Sequence, residues 1–375
     1  MVPNLRFSYK GDWSKRKLNE ICLFFKGNGL SKSDLSNEGF PCILYGELYT
    51  TYKNEVISDI ISKTNTILSN PFLSRNNDLI IPGSGENPID IAVARAIYQN
   101  DIILGGDLNI LRPKSNVSAA FLSYQINGVR RYDIAKKAQG KSIVHLHNSD
   151  LKEVLVSIPS YDEQLHIVKL LTKIDEMIET QSKIINDYKL LKKYITKSFI
   201  KQKGTSYLLS EIAELGRGRV ISSAEISKQK NPIYPVYSSQ TSNNGVMGYL
   251  DNYDYEGEYI TWTTDGANAG TVYYRNGKFN CTNVCGILKI KNGYDAYYIS
   301  NILNCYTKKY VSTNLANPKL MNNVMANIKI NLPSIERQNY FSNILKAIEY
   351  RVKIEQDIKL NLVKQKVFLL KNMFL

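Results

Sequence analysis

A chain of 375 residues is long enough for two or three domains with proper cores. Its hydrophobic content of 43% and mean hydropathy of −0.27 describe a soluble globular protein, and no apolar run approaches the length that spans a bilayer. The formal charge of +14 and pI near 9.3 point to a polyanionic partner; the basic excess is spread along the whole chain, which fits a long positive surface better than a disordered basic arm.

The first segment, 1–156, opens on M-V-P-N-L-R-F, which reads as neither a signal nor a transit peptide, and five cysteines, an odd number, fit a reducing, cytoplasmic setting. L-N-E-I (18–21) leads into Lys26-Gly27, a short helix turning out through glycine. D-L-I-I-P-G-S-G (78–85) reads as a strand entering a polar, glycine-containing loop. H-L-H-N-S-D-L-K-E-V-L-V-S-I-P then gives a short helical segment and a strand-like alternation into Pro159.

The second segment, 157–203, contains a long stretch after Pro159 without another Pro or Gly. Leu170, Ile174, Met177, Ile184, Tyr188, Leu191 and Ile195 recur at steps of three and four, with a polar interruption at Gln181. That spacing predicts a coiled-coil helix roughly 60 Å long, which must bury its stripe against a partner. Lys201 to Ser206, with Gly204, supply the stop.

The third segment, 204–329, repeats the first. L-S-E-I (209–212) leads into Arg217-Gly218, and Y-I-T-W-T-T-D-G (259–266) can be laid on D-L-I-I-P-G-S-G. Strands are expected at 257–263 and 270–290, with a hairpin turn at Asn276-Gly277. The fourth segment, 330–375, opens P-S-I-E-R-Q-N at Pro333, where the second segment opens P-S-Y-D-E-Q-L at Pro159. Sliding the chain along itself until Pro159 meets Pro333 superimposes the two helices without a gap. The chain is one internal repeat. The fold class expected is α+β: two mixed α/β domains separated by two long antiparallel coiled-coil helices, with an internal pseudo-two-fold repeat. Gln181 and Glu355 fall on equivalent stripe positions and are expected to fix the register of the helix pair.

No catalytic constellation emerges. Asn231-Pro232-Ile233-Tyr234 departs from the N-P-P-Y motif of amino-methyltransferases, and Gly140-Lys141-Ser142 lacks the upstream glycine of a phosphate loop, Ala135 standing there. Cys281 and Cys285 lack a second ligand pair, and His145 with His147 lack a third ligand, so no metal is expected.

The N-terminal P-x-L-R-F, Trp13 and L-x-E-I, with two long helices each opening P-S-x-x-x-Q, resemble type I restriction–modification specificity subunits across essentially the full chain. In the third segment P-V-Y-S-S-Q-T-S-N-N-G (235–245), I-T-W-T-T-D-G-A-N-A-G-T-V (260–272) and C-T-N-V-C-G-I-L (281–288) resemble one type of target-recognition domain of that family. The resemblance implies a non-catalytic subunit in which each globular domain reads one half of a bipartite double-stranded DNA target. It further implies that the helix pair is the ruler between the halves and docks two methyltransferase subunits, with a restriction/translocase subunit completing the complex. No cofactor is expected in this chain: S-adenosylmethionine, ATP and Mg would belong to the partners.

Reading base edges requires donors and acceptors held by loops on a rigid scaffold. In the third segment Ser238, Ser239, Gln240 and Thr241 form one candidate loop, Thr263, Thr264 and Asp265 another, and Arg217 and Arg219 flank Gly218, where backbone could approach a phosphate. In the first segment the candidates are Lys26, Lys32, Tyr45, Ser84, Arg130, Arg131 and Lys141. The competing readings are a stand-alone or orphan DNA-binding module without methyltransferase partners and a coiled-coil scaffold whose charge is incidental. Salt-sensitive DNA binding separates the last from the others.

Overall fold

The computed structural model describes residues 2–312 and 317–375; Met1 of the N-terminal reading lies outside them. The chain divides into two compact units, Met1–Lys183 with Gln356–Leu375, and Ile184–Glu355.

The first unit is built on a five-stranded sheet in the order Cys22–Lys26, Leu108–Pro113, Asp78–Pro82, Arg95–Ile97, Val56–Ile57. The run D-L-I-I-P is buried at every residue, as a central strand covered on both faces must be. Against it lies the wholly buried helix Ala119–Gln125, whose N-cap Ser118 accepts from the backbone N–H of Phe121. A separate four-stranded sheet, Ile103–Leu104, Phe40–Ile43, Ser62–Thr64, Leu35–Ser36, is assembled from short strands far apart in sequence. A ribbon of Ser14–Lys17 against Leu155–Ile158 closes the domain beneath the first long helix, Tyr161–Ile200.

The second unit has a six-stranded sheet in the order Ala213–Arg217, Cys285–Ile290, Tyr255–Thr263, Val272–Cys281, Tyr234–Tyr237, Val246–Leu250. Its first three strands repeat the first three of the other sheet, in the same antiparallel pairing. The covering helix is Ala296–Tyr306, N-capped by Asp295, and the closing ribbon is Thr205–Leu208 against Lys329–Leu332. Trp262 is fully buried at the centre, its Nε1 donating to the carbonyl of Leu320 at 2.9 Å, so the one polar atom of the largest core side chain is satisfied.

The hairpin expected at Asn276-Gly277 is not there. Gly277 sits inside the strand Val272–Cys281, opposite Gly257, and both have positive φ, 106° and 105°. At both positions the positive φ is a conformation that a residue with a side chain would be strained to adopt, while the pairing register runs through them unbroken. The chain reverses instead over 264–271 and 282–284.

The long helices, Tyr161–Ile200 and Ile335–Asn372, run antiparallel: Lys366 meets Asp175 in the first unit, and Phe199 stacks on Phe341 at 3.7 Å in the second. The buried or half-buried seam of the first helix is Gln164, Ile167, Leu171, Ile174, Ile178, Gln181, Ile185, Tyr188, Lys192, Ile195 and Phe199, an unbroken alternation of three and four. It shares Ile174, Gln181, Tyr188 and Ile195 with the expected stripe but takes the residue after Leu170, Met177, Ile184 and Leu191 each time. Met177 and Leu191 are 45% exposed. Both neighbours in each step are apolar except at Lys192, so periodicity alone could not choose between them.

The motif P-S-x-x-x-Q acquires a physical reason. Gln164, fully buried, donates to the Pro159 carbonyl at 3.1 Å while its Oε1 accepts from the N–H of the helix N-cap Ser118. Gln338 does the same with the Pro333 carbonyl and the N–H of N-cap Asp295. In each unit one glutamine ties the start of a long helix to the start of the domain's covering helix. The P-x-L-R-F motif is anchored there too: Arg6 forms a bidentate pair with Glu163 at 2.6 and 2.7 Å, and Trp13 Nε1 donates to the same carboxylate.

Candidate nucleic-acid interface

In both units candidate residues other than Arg130 and Arg131 gather at one end of the sheet, where the strand ending in a basic residue turns out through glycine. In the first unit Lys26, exposed, ends Cys22–Lys26, and the N–H of Gly27 bonds to the Leu108 carbonyl. A Cβ on Gly27 would stand 2.0 Å from the Gly105 carbonyl oxygen, so only glycine fits. In the second unit Arg217 and Gly218 repeat this: Gly218 N–H bonds to the Cys285 carbonyl, and a Cβ there would stand 2.0 Å from the Cys281 oxygen. The close backbone approach at Gly218 is thus to the chain's own strand.

The next strand ends at the same edge. Ser84 is 4% exposed and gives its hydroxyl to Asp107 at 3.0 Å. Thr263 and Thr264 are buried as well: Thr263 Oγ1 donates to the Asn268 carbonyl, and Thr264 Oγ1 lies 2.6 Å from Asp265 and 2.9 Å from the Val284 carbonyl. These three hydroxyls shape the loops from inside. Asp265 reaches the surface beside Lys319, 3.7 Å away.

Lys32 and Tyr45 line one cavity of about 580 Å³ with Glu47, Thr50 and Asp107, next to Ser84. Lys141 is exposed on the loop before His145. Arg130 and Arg131 lie elsewhere and are engaged within the unit: Arg130 donates to the Leu375 carbonyl at 2.5 Å and Arg131 to the Ile89 carbonyl at 2.9 Å.

In the second unit Ser238, Ser239 and Gln240 are half-buried and Thr241 exposed, on a loop closed by the Ser238 N–H to Gly245 carbonyl bond and by Gln240 Nε2 donating to the Val246 carbonyl. Asn243 and Asn244 have φ of 47° and 53°, the left-handed region that asparagine tolerates. Beneath the loop lies Arg275, 4% exposed, which sequence reasoning missed. Its guanidinium sits 3.5 Å from the Tyr237 ring centroid and donates to the Asn244 carbonyl and to Thr261 Oγ1. Burial lowers its pKa, and the neighbouring Tyr237 and Cys281 act in the other direction. Its signal in the sequence is an arginine set among tyrosines in a strand.

Arg217 donates to Asn322 Oδ1 at 3.2 Å, and Arg219 is held by Glu225 at 2.7 Å and Asp254 at 3.0 Å. The Glu225 hydrogen bond raises the guanidinium's pKa, and Arg219 lowers that of Glu225. Cys281 and Cys285 are buried beneath this crossing. Gln181 and Glu355 are both buried on their helices, at 8% and 3% exposure, with Arg351 2.5 Å from Glu355. Among the described residues no group of three or more His, Cys, Asp or Glu is placed to hold a metal, and no helix is long and apolar enough to cross a membrane.

Comparison with known proteins follows the same division. The family model described as "Type I restriction modification DNA specificity domain" matches twice, over residues 10–189 and 204–365. A putative type I specificity subunit N-terminus from Mycoplasma pneumoniae (S.MpnORF289P) is 44% identical over 142 residues, 37% of this chain and 75% of that protein. The type I restriction enzyme MpnII specificity subunit of the same organism is 42% identical over 146 residues, 38% of this chain and 43% of that protein, so the match spans under half of that relative's length. The crystal structure of the type I restriction–modification S subunit from M. genitalium superimposes with a TM-score of 0.67 at 17% identity, covering 100% of this chain and 99% of the other. That last likeness is one of fold.

Proposed function

This chain belongs to the family of type I restriction–modification DNA specificity domains, and from that premise we propose that it is the DNA-reading, non-catalytic subunit of such a system. Each unit reads one half of a bipartite duplex target through the sheet end that carries Lys26 or Arg217. The helix pair sets the distance between the halves and docks two methyltransferase subunits; S-adenosylmethionine, ATP and Mg belong to those subunits and to the restriction/translocase subunit.

The observation that carries this reading is the repeat itself. The same strand–glycine crossing, the same closing ribbon and the same buried glutamine recur in both units, while the loops mounted on them differ. A constant frame with variable loops is what two readers of different sequences require. The spread-out basic charge supports a polyanionic ligand.

The test is a salt titration of duplex binding by the full chain, alone and with its methyltransferase subunits. A strongly negative slope of log affinity against log salt, with affinity rising when the partners are added, is the expected result. A flat slope favours the scaffold reading, and a steep slope unaffected by partners favours the stand-alone module.

A further inference from the structure

The segment that leads into each long helix does more than connect. In the first unit His145 pairs antiparallel with Ser84 and exchanges two backbone hydrogen bonds with Gln139, and the N–H of the next residue, Leu146, bonds to the Gly83 carbonyl at 2.9 Å. Slightly further on, Asn148 Nδ2 donates at 2.9 Å to the carbonyl of Phe25, the residue before Lys26. The same frame recurs at the equivalent positions of the second unit. Lys319 bridges antiparallel to Asp265 and exchanges two backbone hydrogen bonds with Ser312; Leu320 N–H bonds to the Thr264 carbonyl at 2.8 Å; Asn322 Nδ2 donates at 3.1 Å to the carbonyl of Gly216, the residue before Arg217.

These backbone relationships are shared, and the side chains they display are not. His145 stands where Lys319 stands, His147 where Met321 does, and Ser84 where Asp265 does. His145 and His147 are both exposed, their rings parallel with centroids 6.1 Å apart, and the side chain of Lys319 is 40% exposed beside Asp265. A leucine that plugs the sheet and an asparagine that ties down the basic strand hold this position rigidly, on the same edge as Lys26 or Arg217. A rigid backbone with a donor side chain that differs between the units is how a contact to two different half-sites would be built.

We infer that His145 and Lys319 are equivalent DNA-contact residues, one per unit, each donating an N–H to an acceptor of the duplex. The inference rests on the DNA-reading function proposed above and adds residues that the loops singled out from the sequence do not include. The acceptor is either a purine edge, such as guanine N7 and O6, or a phosphate oxygen, and the two have different consequences.

The experiment uses the full chain and duplexes selected by the wild-type protein from a randomised pool. His145→Ala, Lys319→Met and Lys319→Arg are compared in affinity, salt slope and selected sequence. If the contact is to a base, His145→Ala removes preference at one position in one half-site only, Lys319→Met at one position in the other, each lowering affinity for the selected duplex roughly 10- to 100-fold. If it is to phosphate, the selected sequence is unchanged, all duplexes weaken alike, and the salt slope falls by about 1 with Lys319→Met, the variant that removes a full positive charge. Lys319→Arg, which keeps charge and donors, retains most of the wild-type affinity, which a purely structural role for Lys319 would not require. Variants matching a DNA-binding wild type in all three readouts overturn this inference alone. A wild type that shows no salt-sensitive DNA binding overturns the DNA-reading function, and this inference with it.

Discussion

Lys366, near the end of the second long helix, places its ammonium 2.5 Å from the Asp175 carboxylate on the first. Its counterpart in the repeat, Lys192, pairs with Glu349, the counterpart of Asp175. One seam ion pair is therefore used twice. The copies differ in setting. Lys366 also reaches Glu55 at 2.6 Å, and Asp175 accepts from the buried Tyr124 at 2.7 Å. The side chains of Lys366, Glu55 and Asp175 are 14%, 7% and 6% exposed, whereas those of Lys192 and Glu349 are 27% and 47% exposed.

That difference fixes the outcome of removing each lysine. Lys366→Met leaves two buried carboxylates without their cation and is expected to cost about 3–5 kcal/mol. Lys192→Met, at the exposed copy, costs about 1 kcal/mol or less. Denaturant melts of the two variants check the contrast, and equal costs would contradict it. Replacing Lys366, Asp175 and Glu55 together by Met, Asn and Gln is expected to recover most of the loss.

Asp175 also sets a pH dependence. Burial raises its pKa, Lys366 pulls it down and Glu55 raises it again, and the net direction is upward. A carboxyl raised in the fold binds its proton more readily there than in the unfolded chain. Its share of stability is therefore full below the unfolded value of about 3.9 and is lost as pH rises through the folded value. The stability difference between wild type and Asp175→Asn should accordingly shift in favour of wild type as pH falls from 7 towards 4. A shift the other way would mean that the Lys366 pair outweighs burial.

Gln164→Ala and Gln338→Ala each strand a buried proline carbonyl and a helix-cap N–H, buried at Ser118 and half-buried at Asp295. The expected cost is about 2–4 kcal/mol for each, because every buried group left unsatisfied costs about 1–3 kcal/mol. Thermal melting of the two variants measures it. Losses below about 1 kcal/mol would show that water replaces the amide.

Arg275→Met removes the support under the 238–245 loop. Hydrogen exchange of the Gly245–Val246 region should quicken, and stability should fall by about 1.5–3 kcal/mol, the range for bonds to a charged donor. Unchanged exchange would mean that Asn243 and Asn244 hold the loop without it.

How much of this was legible in the sequence depended on whether a residue's task was local. The repeat, the short helices before Gly27 and Gly218, and the glutamine of P-S-x-x-x-Q all show as spacing, because each recurs at the same offset in both halves, although the partners of Gln164 and Gln338 at Ser118 and Asp295 lie too far along the chain to be read from it. The seam did not, since Met177 and Ile178, or Ile184 and Ile185, are equally apolar and only the partner helix selects one. Ser84, Thr263 and Thr264 looked like readers because a polar residue in a loop after a strand has the same composition whether its hydroxyl faces solvent or a buried carbonyl. The small four-stranded sheet was illegible for another reason: its strands are very short and pair across long sequence gaps, so no periodicity marks them. Arg275 was hidden by its charge, which argues for the surface until the Tyr237 and Tyr273 rings are seen around it.

The central claim is that the two units read separate half-sites. The most direct measurement is selection of duplexes by the wild-type full chain from a randomised pool, sequenced with and without the Gln240→Ala change. The account predicts two blocks of fixed sequence separated by a gap of constant length and free composition, with Gln240→Ala relaxing preference in one block only. A single contiguous block, or equal relaxation of both blocks, would contradict it.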